Sequence, residues 1–443
     1  MCPWIRTFSI ALNYYDSLAA ENLIQSKLNI VKQPKAIDEF LSNLKETQPP
    51  ERVARISRYV GRLFEKTTNR LDDGTIFVVT GDIPAMWIRD STWQVLPLLQ
   101  MNPDDEVAEI VGAVSKRQAR FLKIDPYANA FNETASGNCW HLDFTNQSPW
   151  VFERKFELDS WSTFFELAIS LHEIVDYSEH LDDNFWSVSA ELLRLARVEQ
   201  NHDSKTYKFL RDNSPEADHL SHGGYGAPVV YTGLVWSAFR PSDDRCVYGY
   251  HIPANAHFAA TLNRLAPLAK RFGYAQISSE AMELAKEIRQ AVLASAKATG
   301  KFPYEIDGLG NALFMDDPNV PSLLALPKLG FCSNSDATYL ATRNWLLSEN
   351  HHYFVSNAGF VGLASEHTPS NWIWPISMAM IGLTSSDEDL AVQMLEQLEK
   401  SDGQTGDMHE SFLPSDPRQY TRPWFSWADM TYVELALAVN SRS

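Results

Sequence analysis

The chain's apolar positions recur mostly three and four residues apart. Val53, Ile56, Val60, Leu63 and Phe64 share one helical face, and Val107, Ile110, Val111, Val114 and Phe121 share another after a Pro103-Asp104 start. The same spacing predicts helices over residues 160–177, 183–198, 254–272, 280–298 and 336–347. Three more follow toward the C-terminus, over 375–383, over 387–398 behind a capping box of Ser385 and Glu388, and over 424–439. Alternating patterns typical of strands are scarce, so the fold is read as all-α.

Between these helices lie long segments rich in glycine, proline, aromatic and acidic residues: 74–90, 129–159, 221–255, 301–331 and 402–427. Connections beyond about 12 to 15 residues in a compact chain usually carry function. Helices in series with such loops between them predict concentric helical pairs whose loops gather at one mouth. No composition break divides the chain. Residues 1–45 form an N-terminal extension, and 46–443 are expected to be one catalytic domain.

Composition narrows the partners. A net charge of −18 repels nucleic-acid phosphates and anionic membranes, so neither is an expected partner. No apolar run approaches a membrane span, and the N-terminus has no export-signal pattern. Cys2, Cys139, Cys246 and Cys332 are too scattered for a zinc site or a disulfide framework, which favours a cytoplasmic setting, or a secreted one if the N-terminus shown is incomplete. The sequons at Asn132 and Asn146 are no more than chance supplies in a chain this long.

Three clusters could carry chemistry. Residues 81–91, GDIPAMWIRDS, gather Asp82, Trp87, Arg89 and Asp90 where a loop becomes a helix. Capping by Asp90 or Ser91 and an Arg-Asp pair would be the plain reading. A sugar site needs the same parts, however: a carboxylate to accept from hydroxyls, a guanidinium to donate to them, and an indole to cover a C–H face. The second cluster, residues 222–255, sets His222, Arg240, Asp243 and Asp244 among glycines and aromatics. Adjacent carboxylates in a dry cleft cannot both ionise cheaply, so one is expected to have a raised pKa and to donate a proton. The third holds Glu410 after His409 and before Arg422, Trp424 and Trp427, where a glutamate can serve as a general base.

Other chemistries lack their signatures. Position 176 is Asp where a zincin beginning at His172-Glu173 needs His, and His219 and His222 have no carboxylate partner pattern. Phosphate-loop, dinucleotide and nucleophile-elbow motifs are missing, and no Asp-Asp pair is followed by the third Asp of a diphosphate-binding helix.

Taken together, GDIPAMWIRDS, FRPSDD (239–244), YGYHIPAN (248–255), EHTPSNWIWPI (366–376) and HESF followed by YTRPWFSWADM resemble glycoside hydrolase family 125, over residues 70–439. The resemblance implies an (α/α)6 barrel and an exo-acting, inverting, metal-independent α-1,6-mannosidase without cofactor or obligate protein partner. Its substrate would be an α-mannoside oligosaccharide. It further implies Asp243 or Asp244 as general acid and Glu410 as general base. Asp82, Trp87, Arg89, Asp90, His222, Arg240, His367 and Trp374 would contact the sugar. Competing readings are another inverting α-glycosidase of this barrel type and a sugar-binding protein without catalysis.

Overall fold

The computed structural model describes residues 30–202 and 207–442; Cys2 and most of the 1–45 extension lie outside them. Twelve helices of eight or more residues occur among the described residues. They are α1 (Lys35–Asn43), α2 (Pro50–Arg62), α3 (Ile88–Val95), α4 (Asp105–Ile124), α5 (Leu158–Val175), α6 (Asp183–Gln200), α7 (Ile252–Arg271), α8 (Ala275–Ser295), α9 (Ala337–Leu346), α10 (Pro375–Leu383), α11 (Glu388–Leu398) and α12 (Ser426–Arg442). Helix α3 packs on α5, α5 on α7, α10 on α12, and α12 back on α3. Against this inner set lie α4, α8, α11 and α2, while α6 packs on α4 and α8 and reaches α5 through Phe185.

Residues 322–330 coil in irregular turns instead of a regular helix and lie beside the inner set, where a Cβ on Gly330 would meet Ala260 of α7 at 4.0 Å. Asp316 accepts the amides of Leu323 and Leu324 at their start, and Lys328 reaches inward to Glu434 of α12 and to the Trp93 ring. The 301–331 stretch, expected to be a mouth loop, therefore ends inside the wall. Pro318, Pro321 and Pro327 break regular hydrogen bonding there, while Leu323, Leu324, Leu326 and Leu329 are buried like a helix stripe.

Helix starts show where local chemistry won. Asp104 caps α4 through the Val107 amide, as the sequence predicts. Helix α11 is capped by Asp387, whose Oδ1 accepts from Asp389 and Leu390, and not by a Ser385 box. Helix α3 begins directly after an extended Trp87 with no side-chain cap, so neither Asp90 nor Ser91 is tied up in capping.

Each long loop leads into the N-terminus of an inner element, and short antiparallel strands lace the loops together. The strands Met86–Trp87, Ala130–Phe131 and Val151–Glu153 form one three-stranded patch, which brings the loops before α3 and α5 side by side. Gly81, at φ 98°, lies so near the 424–426 backbone that a Cβ would meet Trp424 O at 2.8 Å. Below, Phe156 packs on Tyr127, Trp161 and Trp236 and so anchors the turn that carries Glu157. Among the described residues no helix is long and apolar enough to cross a membrane. Asn132 of the first sequon is buried, its amide donating to the carbonyls of Asn138 and Pro149.

Candidate active site

Arg89, in the first turn of α3, is buried and stands at the centre of the mouth. Its Nη1 reaches Glu157 and, at 3.2 Å, Asp159 Oδ2; its Nη2 lies 3.5 Å from Asp243 Oδ1, and its Nε 3.2 Å from Asp90 Oδ1. The guanidinium also faces the Trp427 ring. Asp90 accepts from Thr80 through Oδ2. Three buried carboxylate oxygens here, Asp90 Oδ1, Asp159 Oδ1 and Asp244 Oδ2, accept no hydrogen bond among the described residues, although Arg89 Nε pairs with the first by charge. Leaving such an atom unsatisfied costs about 1 to 3 kcal/mol, and a hydroxyl is a donor that could satisfy it.

On the next loop Asp243 adopts a left-handed backbone, φ 68°, and its main-chain oxygen accepts from the buried Lys155 ammonium at 2.6 Å. Asp244 turns toward His367, whose Nδ1 lies 3.0 Å from its Oδ1. Against its burial, the Asp244 carboxylate, with Glu410 and Asp243 beyond it, pushes His367 up to about 10. His367 is therefore a cation at neutral pH, set among the carboxylates of two different clusters.

Glu410 precedes the strand Ser411–Phe412, which pairs with Tyr420–Thr421 and brings Arg422 Nη1 to 3.9 Å from Glu410 Oε1. Arg422 also holds Asp82 Oδ1, at 2.9 Å through Nε, and the Thr80 carbonyl at 3.0 Å. His409 faces elsewhere: its Nδ1 lies 3.0 Å from the Arg422 carbonyl and its ring stacks on Tyr420. Thus Asp82, Arg89, Asp90, Asp243, Asp244, His367 and Glu410 converge, although three separate segments supply the original clusters.

The remaining predicted residues stand in supporting or outlying places. Arg240 is enclosed, donating to Glu305 at 2.6 Å and to Glu366. Trp374 is buried with its indole on Thr368 Oγ1, 6.2 Å from the His367 ring. Trp87 lies beneath the site against Phe152. His222 is exposed beside Ser221, and none of these carboxylates touches it.

Sequence reasoning missed Glu157, Asp159, Asn129 and Lys155. The signal was present in Lys155-Phe156-Glu157-Leu158-Asp159, where charges alternate with apolar residues although the whole run is buried. The sequence predicts that one of the adjacent Asp243 and Asp244 carboxyls is raised; Asp243 is not, and the raised group beside it is Glu157. Burial drives Glu157 well above the usual carboxylate range, with Asp243 and Asp159 adding and Arg89 opposing. Asp243 goes the other way: against its desolvation, the Glu157 hydrogen bond and the Arg89, Lys155 and His367 charges hold it at about 2.

The family model for metal-independent α-mannosidases, glycoside hydrolase family 125, matches residues 55–437. The chain belongs to that family. Among solved structures it is similar to a Streptococcus pneumoniae family 125 protein described in a non-productive complex with α-1,6-mannobiose, at TM-score 0.90 and 38% identity, covering 93% of this chain and 100% of that one. The meiotically up-regulated gene 157 protein of Schizosaccharomyces pombe is 34% identical over 92% of this chain and 86% of its own length. A bacterial glucoamylase complexed with acarbose shares the fold alone, at TM-score 0.59 and 13% identity over 90% of this chain and 58% of that one. This family 125 member is thus a glycoside hydrolase of α-mannosides with a mostly helical fold, as its motifs led one to expect.

Proposed function

We propose that the protein is an exo-acting, inverting mannosidase that removes terminal non-reducing α-1,6-linked mannose from mannans or N-glycan fragments. The observation that carries this reading is the likeness to the Streptococcus pneumoniae protein bound to α-1,6-mannobiose, together with the convergence of the Asp243-Asp244 loop and the Glu410 loop on one His367. Arg89 and Asp90 grip the mannose. With Asp243 held as a carboxylate in the resting site, the proton for the leaving oxygen comes from the Asp244-His367 pair, while Glu410 takes one from the water that attacks C1 from the opposite face. An inverting pair stands about 6.5 to 9.5 Å apart to leave room for that water, against about 5 to 5.5 Å for a retaining pair.

Proton NMR of the first product should show β-mannose before mutarotation; initial α-mannose would refute inversion and the role given to Glu410. A panel of α-1,2-, α-1,3- and α-1,6-mannobiose with aryl α-mannoside and α-glucoside should give the fastest turnover on the 1,6 linkage. Preference for the glucoside would overturn the substrate. The cysteines Cys139, Cys246 and Cys332 are unpaired, which suits the reducing, cytoplasmic compartment proposed for it.

A further inference from the structure

Four carboxyl groups, Asp90, Glu157, Asp159 and Asp243, surround the single guanidinium of Arg89. The nearest further cations are already shared. Lys155 Nζ lies on the Asp243 carbonyl, 3.8 Å from Glu153 and 3.7 Å from Asp218, and His367 pairs with Asp244. Four buried carboxylates cannot all ionise around one cation, so the cluster must hold at least one proton.

Shared donors indicate where. Asn129 Nδ2 is 3.1 Å from Glu157 Oε1 and 3.5 Å from Asp243 Oδ1, while the two Nη atoms of Arg89 divide between the same two side chains. Two carboxyls drawn onto one amide and one guanidinium lie against each other, and a pair so placed keeps one proton between them. Glu157 is fully enclosed, at 0% side-chain exposure, whereas Asp243 keeps 26%. The more enclosed partner is the one that pays most to be charged.

We propose that Glu157 is a positioning residue working as a neutral carboxylic acid, its O–H donating to Asp243 while its other oxygen accepts from Arg89 or Asn129, so that Asp243 stands as an oriented carboxylate in the resting site. The opposite displacements of the two groups' proton affinities agree with this geometry. The groups that bear on Glu157 or on Asp243 beside it are Arg89 and Asp90 of α3, Asp159 of α5, and Asn129, Lys155, Cys246 and His367 of the loops.

The kinetic part of the test rests on the mannosidase reading; the spectroscopic part does not. Glutamine copies a neutral glutamic acid, since its amide N–H donates and its oxygen accepts. Glu157→Gln should keep kcat/KM within about threefold on both aryl α-mannoside and α-1,6-mannobiose, with an unshifted pH profile, whereas Glu157→Ala should lose roughly tenfold to a hundredfold by removing the donor to a charged group. The infrared carbonyl band of a protonated carboxyl should be present at neutral pH and diminish in Glu157→Gln. A Gln variant as damaged as the Ala variant on both substrates would mean an ionised Glu157 and overturn the proposal. Loss confined to mannobiose would make Glu157 the proton source and overturn positioning. An infrared band unchanged in Glu157→Gln would do the same even if the enzyme turned over no mannoside and the kinetic arm were silent, or if the Ala variant failed to fold.

Discussion

Helix α5 carries two acidic stations, one buried and one partly exposed, that differ in how their charge is balanced. At its N-terminal turn Asp159 belongs to the crowd of carboxyls around Arg89, with an oxygen left without a donor. Seven residues on, about 10 Å along the axis, Glu166 accepts from both Arg264, at 2.7 and 2.8 Å, and Ser170, at 2.8 Å, with His257 Nε2 at 3.4 Å. Burial raises Asp159 against the pull of Arg89, whereas the His257 and Arg264 contacts overcome burial and hold Glu166 well below the usual range. Both stations use the same residue types on the same helix. The matched station ties α5 to α7, whereas the mismatched one leaves a carboxylate oxygen that accepts no hydrogen bond among the described residues.

Substitutions can break that comparison. The largest effect is expected at Glu410→Gln, which removes the proposed base and should cut turnover of every mannoside by roughly a hundredfold to ten-thousandfold with unchanged melting. Asp90→Asn should cost about 1.5 to 3 kcal/mol in transition-state binding, roughly tenfold to a hundredfold in kcat/KM. Its thermal midpoint should stay level or rise, because the lost charge was a surplus one; a much lower midpoint with fully active residual protein would show Asp90 to be structural. Glu166→Gln should do the reverse, lowering stability by roughly 1.5 to 3 kcal/mol while leaving kcat of the folded fraction near wild type.

A smaller effect sets another buried carboxyl, Asp317 of the 301–331 segment, against the Glu166 station by pH. Burial first, then Asp244, pushes Asp317 up from 3.8 to about 6, so the native state binds that proton more tightly than the unfolded chain. Stability from this group is therefore greatest at low pH and falls as pH rises between those two values. Glu166, held low, contributes fully above its unfolded value and loses that contribution only on further acidification. Asp317→Asn should flatten the first slope in pH-dependent denaturation and leave the second. The last comparison expects no change at all: dialysis against EDTA should not alter the rate, and a loss restored by calcium or zinc would contradict metal-independent chemistry.

How much of this was legible depended on whether neighbours in sequence decided the outcome. Helices such as α4 and α10 show their stripes and starts directly, and the motif clusters around Arg89, Asp243 and Glu410 do converge. The cap of α11 was misassigned because the residue immediately before the first turn, Asp387, outcompetes a serine two positions earlier. Glu157 and Asp159 escaped notice since acids in an apolar run look like surface residues until a partner as distant as Arg89 is known. Arg240 reads as a sugar ligand from its motif, yet what encloses it, Glu305 and Glu366, comes from segments far along the chain.

The turns at 322–330 have a bearing on motion. Their amides are held by a mixture of three-, four- and five-residue spacings, and Pro327 offers none, so this part of the wall lacks the repeating ladder that makes neighbouring helices open only cooperatively. Protection of Leu326 and Gly330 amides against solvent exchange should decay sooner than that of Leu262 or Leu265 across the seam. Breathing of the ring would then begin at this joint, on the side that carries Asp316 and Asp317, and leave the Arg89 side, where α12, α3 and α5 abut, as the rigid jaw.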